Sequence, residues 1–313
     1  MKKVSTLFVI VLGLGFSSLY FYQMRATRVL TMEGVIAGIV SFVNRYYKDF
    51  IPYEVKDNHV ISDKREYVRN IATMYDLMRL QAHWYAGERS MHGIHASVMQ
   101  EINENAEYYL RIYKRNPSDM RQASAFLALL LQRTSEAQYE KDIAQITHTL
   151  YTQLGDLEPR FELGEVLMAL SIIDPKPAIL DAQINRIIEN IQKNDPSVED
   201  LFQYNWLSKF IAVYKNDASA TLFRILHEKV IRVLPLLTYE EETNYLAVTY
   251  ECLASLHSYD SSIEVDGYLE KLMAALMKRY NRTYGLFAFK NGDMRFDITG
   301  HILNGFIDLH AVG

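Results

Sequence analysis

The stretch NYLAVTYECLASL, residues 244–256, is apolar around most of a helical circumference. A helix with no wet face has to be buried. DAQINRIIENIQK, residues 181–193, is of the other kind. Ile184, Ile187, Ile188 and Ile191 recur there at i, i+3, i+4 and i+7 with polar residues opposite, which leaves one face for water.

Both kinds repeat along the chain. ASAFLALLL (123–131) and LGEVLMALSII (163–173) match the first; Leu222, Ile225, Leu226 and Val230, and again Val265, Leu269, Leu272 and Leu276, match the second. All seven prolines, Pro52, Pro117, Pro159, Pro175, Pro177, Pro196 and Pro235, fall between these patterns or in a first turn. That placement avoids the roughly 3 kcal/mol that proline costs inside a helix. The boundaries give about twelve helices in six pairs, starting near 27, 62, 91, 118, 137, 160, 176, 198, 217, 238, 261 and 297, with Pro117, Pro159, Pro196 and Pro235 about forty residues apart. Strand-like alternation is nearly absent. TYGLFAFKNGDMRF (283–296) has two short apolar runs around Asn291-Gly292, the signal of a β-hairpin placed as a flap before the last helix.

Alternation of buried and one-faced helices points to an all-α fold, an (α/α)6 toroid with six inner helices and six outer ones. An open solenoid is the rival, but there both helix sets present a solvated surface. A hydrophobic content of 49% over 313 residues is ample for such a core. The net charge of −5, with no basic stripe, speaks against nucleic acid as a partner. Cys252 is the only cysteine, so no intrachain disulfide exists, and its apolar setting suggests a small buried hydrophobe.

Lys2 and Lys3 precede VSTLFVIVLGLGFSSLYFY (4–22), uncharged and about long enough to span a bilayer. We expect a signal anchor over residues 1–26 and a single domain over 27–313, held at an inner membrane and facing the periplasm, or secreted if the segment is cleaved.

RFELGEVLMALSI (160–172), QYNWLSKFIAVYK (203–215), NYLAVTYECLASLH (244–257) and YGLFAFKNGDMRFDITGHILNGF (284–306) resemble the repeats of the six-hairpin toroid superfamily of polysaccharide lyases, glycosidases and glucuronyl C5-epimerase carboxy-terminal domains. RFDITGH (295–301) is similar to the Arg/Asp/His-bearing start of the last inner helix in several of them. The chain is short for that superfamily, without the added β-domain that many members carry. The resemblance implies a sugar-chain cleft at one mouth of the inner ring, lined by the first turns of the inner helices.

That rim would collect Arg69, Gln122, Glu162, Glu165, Tyr204, Asn205, Trp206, Asn244, Tyr245, Arg295, Asp297 and His301. Glu165 is then the candidate acid and His301 the candidate base, with Asp297 one turn before it to orient the ring. Tyr204 and Trp206 would stack on sugar rings, with Asn205, Asn244, Tyr245 and Arg295 as further substrate contacts. A plainer reading also stands: helix starts are polar in any case, Asp297 suits a cap, and the aromatics suit packing. His92 and His95, with His83 nearby, have a spacing that could hold a metal, but no third ligand sits at a telling distance, so no metal or cofactor is expected. No Gly-rich phosphate loop or nucleophile elbow occurs, and Asn281-Arg282-Thr283 is a formal glycosylation sequon. The expected function is to bind or act on a polysaccharide or oligosaccharide during its synthesis, modification or export. The other expectation is a non-catalytic scaffold that holds proteins of an envelope complex.

Overall fold

A computed structural model describes residues 32–85, 93–158, 161–238 and 242–310. The expected anchor over 1–26 lies outside them, and no helix among the described residues is long and apolar enough to cross a membrane. The chain divides into two compact units, one ending at Val35 and one running from Ile36 to Gly313, and the account below concerns the second.

The fold is all-α with a few short strands. The helices are α1 (Met32–Tyr46), α2 (Tyr67–Trp84), α3 (Ala96–Arg115), α4 (Ser124–Gln153), α5 (Phe161–Ile173), α6 (Pro177–Gln192), α7 (Leu201–Val213), α8 (Asp217–Val233), α9 (Thr243–Tyr259), α10 (Asp266–Met277) and α11 (Phe296–His310). Starts fall within several residues of those expected. Where two helices were expected, from 118 and from 137, one long helix α4 runs through, broken only at Ser135, whose φ of −167° and ψ of 85° are not helical. On its near side Ser124–Leu131 are buried without interruption. Beyond the break only Tyr139, Ile143, Ile146, Thr147 and Leu150 are buried, a single stripe. A buried and a one-faced helix are thus joined with no loop between them.

The buried segments find one another. α2 packs on α4, α4 on α5, α5 on α7, α7 on α9, α9 on α11, and α11 on α2, so the order of neighbours returns to its start. α9 is the driest of them, with Leu246, Ala247, Val248, Cys252, Leu253, Ala254 and Leu256 fully buried. Burying each leucine contributes roughly 1.5–3 kcal/mol. Burial also pushes the Cys252 thiol up to about 12, the behaviour of an inert core residue. In α6 the pattern is one-sided as expected, with Ile184, Ile187 and Ile191 buried.

The strands differ from expectation. A hairpin not foreseen joins β1 (Glu54–Lys56) to β2 (His59–Ile61) through Asp57 and Asn58, with φ of 49° and 62°. Two central residues with positive φ are what a two-residue hairpin turn requires. Strands β3 (Tyr280–Asn281) and β4 (Leu286–Phe287) form a second pair. Asn281, the sequon residue, closes that turn by accepting from the backbone of Thr283 and Tyr284. Asn291-Gly292 does form a tight turn, in which Phe289 donates to the Asp293 carbonyl at 2.7 Å. However, the strand that follows, β5 (Met294–Arg295), pairs with β1 rather than standing as a flap, and Phe296 donates its N–H to Tyr53 at 2.8 Å.

Gly285 and Gly164 are among the glycines required by contact. Gly285 has φ of 70°, and a Cβ there would lie 2.2 Å from the Gly38 carbonyl; a Cβ on Gly164 would lie 2.7 Å from that of Trp206. Gly285→Ala should therefore lower stability by about 3 kcal/mol and Gly164→Ala by about 2 kcal/mol. Gly267→Ala, where nothing lies within 4 Å, should change the urea midpoint little.

Candidate functional site

The N-terminal parts of the buried helices α2, α4, α5, α7, α9 and α11 line a cavity of about 450 Å³. Each of the six contributes: Arg69 and Asp76 from α2, Gln122 and Phe126 at the start of α4, Glu165 from α5, Phe202 and Trp206 from α7, Asn244 from α9, and Arg295, Asp297, His301 and Asn304 at or within α11. The residues it gathers lie toward the N-terminal ends of these helices. Unpaired N–H groups and partial positive charge gather on that side.

β5 fixes the start of α11, and with it a cluster of charges. Asp297 accepts from Arg295 Nε at 3.0 Å on one oxygen and meets Arg295 Nη2 and, at 3.3 Å, Arg69 Nε on the other. Arg69 also pairs with Glu66 at 2.9 Å. Asp297 thus lies clasped between two guanidiniums and does not orient His301, as its i, i+4 spacing had suggested. The partner of His301 is Glu251 of α9: its Oε2 lies 2.6 Å from His301 Nδ1.

Glu251 is 0% exposed, the deepest charge among the described residues of α9. Burial alone would raise its pKa, but Lys209 and His301 against it hold the carboxyl down at about 2. Lys209 Nζ donates to Oε1 at 2.5 Å, and Asn205 Nδ2 donates to Oε2 at 2.6 Å. Lys209 Nζ also sits 4.3 Å over the Trp206 ring, whose edge-to-face partner is Phe126 at 5.4 Å.

Two other carboxyls of the cavity have the opposite fate. Glu165 is 4% exposed, and its Oε2 has no hydrogen-bond partner. Burial, aided by Glu162 and opposed by Lys209, pushes it up to about 8, so it carries a proton at neutral pH. Asp76, 8% exposed, is pushed up by burial to about 6 against the pull of Lys209 and Arg79. The cavity therefore holds a protonated carboxylic acid and an imidazole backed by a carboxylate. Groups whose environments drive their pKa values apart are what acid–base chemistry needs.

Of the residues expected at the site, the cavity gathers Arg69, Gln122, Glu165, Trp206, Asn244, Arg295, Asp297 and His301. Tyr204 is buried away from it, Asn205 is buried on Glu251, and Tyr245 packs edge-on against Phe202 at 5.4 Å. Glu162 instead faces Arg121 at 3.6 Å. Asp76, Lys209, Glu251, Phe126 and Phe202 were missed. The signal for the first three was available: each is a charged residue inside an apolar helical run, where it must meet a partner.

His92 lies outside the described residues, and among those described no three His, Cys, Asp or Glu side chains gather as a metal would need. Comparison with protein-family models, with curated proteins and with solved structures finds no significant match for the chain.

Glu165 makes stability depend on pH. Between its unfolded value near 4.5 and about 8 the native carboxyl keeps a proton that the unfolded chain has released, so native stability falls as pH rises through that window. Glu165→Gln removes this slope. Relative to the parent chain the variant should gain on the order of 3 kcal/mol between pH 5 and pH 9 in urea midpoints. Lys209→Met strips Glu251 of its main counter-charge and should cost about 3–5 kcal/mol. Adding Glu251→Gln to it should return most of that loss in a double-mutant cycle.

Proposed function

We propose that this chain is an (α/α)6 toroid protein akin to the six-hairpin superfamily, and that it binds a polysaccharide or oligosaccharide in the cavity at the N-terminal mouth of its inner helices. The returning order of helix neighbours supports the toroid reading over an open solenoid, because a solenoid's first and last inner helices would not meet. In this reading the segment before residue 27 anchors the protein in an inner membrane and the helical domain works in the periplasm, on a polymer being synthesised, modified or exported.

One observation carries the functional reading. A single cavity, lined from all six inner segments, holds Glu165 with an unpartnered oxygen, His301 backed by Glu251, and an aromatic wall of Phe126, Phe202 and Trp206. Aromatic faces suit the apolar faces of sugar rings. Gln122 and Asn244 suit hydroxyls, and Arg69 and Arg295 suit a carboxylate such as that of a uronic acid. With a uronate-bearing sugar chain in place, His301 Nε2 takes the proton from the carbon beside the carboxylate, the electron pair forms a C=C bond as the neighbouring glycosidic C–O bond breaks, and Glu165 gives its proton to the departing oxygen. Asp297, neutralised by two arginines, tunes and positions Arg69 and Arg295 in this scheme.

The test is binding of the full chain in detergent micelles to a panel of neutral and acidic polysaccharides. Trp206→Ala should weaken binding at least about tenfold, as loss of a central aromatic anchor does. Glu165→Gln and His301→Gln should abolish product formation while affinity stays within about threefold. Binding to no polymer at all, or binding indifferent to Trp206, would overturn the reading.

A further inference from the structure

Glu251 stands one layer below the cavity. It is fully buried on α9, and three neighbours use its two oxygens: Lys209 Nζ at 2.5 Å on Oε1, Asn205 Nδ2 at 2.6 Å and His301 Nδ1 at 2.6 Å on Oε2. Lys209 can only donate, and so can the Asn205 amide nitrogen. Every partner supplied by α7 therefore requires Glu251 to accept. An ionised carboxylate has no proton to offer, so at the third contact the imidazole nitrogen must be the donor. We infer that Glu251 is the positioning residue of the cavity: it holds His301 as a neutral imidazole with its proton on Nδ1 and leaves Nε2 bare as the basic nitrogen.

The charges around His301 are Glu199 just before α7, Lys209 from α7, Glu251 from α9, Arg69 and Asp76 from α2, Glu165 from α5, and Arg295 and Asp297 at the start of α11. The Lys209–Glu251 ion pair is already neutral as a unit, so no net charge demands a second proton on the ring. Lys209 in effect dictates the tautomer of a histidine it does not bond, by holding Oε1 of the carboxylate whose Oε2 meets the ring. The use of Nε2 as a base rests on the polysaccharide reading above, whereas the tautomer itself does not.

Substitution Glu251→Gln tests this sharply, because Lys209 again imposes the orientation. The Gln carbonyl must turn to Lys209, which places the amide NH2 against Asn205 and His301. Asn205 can present its Oδ1, which has no partner in the native arrangement. His301 can then only accept at Nδ1, and its proton moves to Nε2.

The experiment is nitrogen NMR of the full chain in detergent micelles, labelled with [15N]histidine, at pH 8, with the His301 signals assigned by their loss in His301→Gln. We expect the unsubstituted protein to show a protonated Nδ1 and an unprotonated Nε2, and Glu251→Gln to exchange the two. A proton on Nε2, or on both nitrogens, in the unsubstituted protein overturns the inference, as does a Glu251→Gln spectrum that keeps Nδ1–H. The first measurement needs only His301→Gln to fold, for the assignment, and not Glu251→Gln. If the tautomer is as stated while Trp206→Ala leaves polymer binding intact, the polysaccharide reading fails and the assignment of Glu251 stands.

Discussion

The burial of one carboxylate organises this molecule. Glu251 lies in a helix with no wet face, and a charge left alone there would cost far more than the fold can spare. Its compensation comes from α7, through Lys209 and Asn205, and from α11, through His301. Toward the other end of the same helices a second polar set does similar work. Arg79 of α2 reaches Asp308 at 2.8 Å and Asn304 at 2.7 Å on α11, and Ser255 of α9 donates to Asp308 at 2.8 Å. Apolar packing alone tolerates a helix sliding by a fraction of a turn, whereas these bonds do not. α9 and α11 are thereby held in register at two heights, with α7 tied in at one and α2 at the other, and the Glu251 set is also the floor of the cavity.

The helical plan was legible because burial leaves its mark on every residue of a dry helix. Contrast between NYLAVTYECLASL and DAQINRIIENIQK needs no contact information. Even the break in α4 was foreshadowed, since the pattern changes from all-round to one-faced near Ser135. The strands were harder to read because pairing between β1 and β5 joins segments some 240 residues apart, and neither Glu54–Lys56 nor Met294–Arg295 is long enough to declare itself. Asn291-Gly292 announced a turn correctly and said nothing about which strand would receive the chain leaving it.

At the site the difficulty was angular. Tyr204, Asn205 and Trp206 are consecutive, but a helix turns about 100° per residue, so one position meets the cavity while its neighbours enter the core. Asp297 and His301 share a helix face and were natural partners until the competitors were counted: two guanidiniums for one and a buried carboxylate for the other. Spacing names who can meet; charge and burial decide who does. Glu251, Lys209 and Asp76 were visible as ionisable letters in apolar words, and an accounting of buried charge would have drawn them to the centre.

The antiparallel bond between β1 and β5 also sets an order in time. β5 leaves the ribosome some 240 residues after β1, and β5 and α11 must find β1 and α2 across everything made in between. Contacts of such separation form late and only after the intervening chain has compacted. A nascent chain that lacks residues 294–310 can assemble its middle helices, but it has no His301, no Asp297, no lid of charge over Arg69 and no partner on one side of Glu251. The cavity is thus incomplete until residues 294–310 have joined the helices made before them.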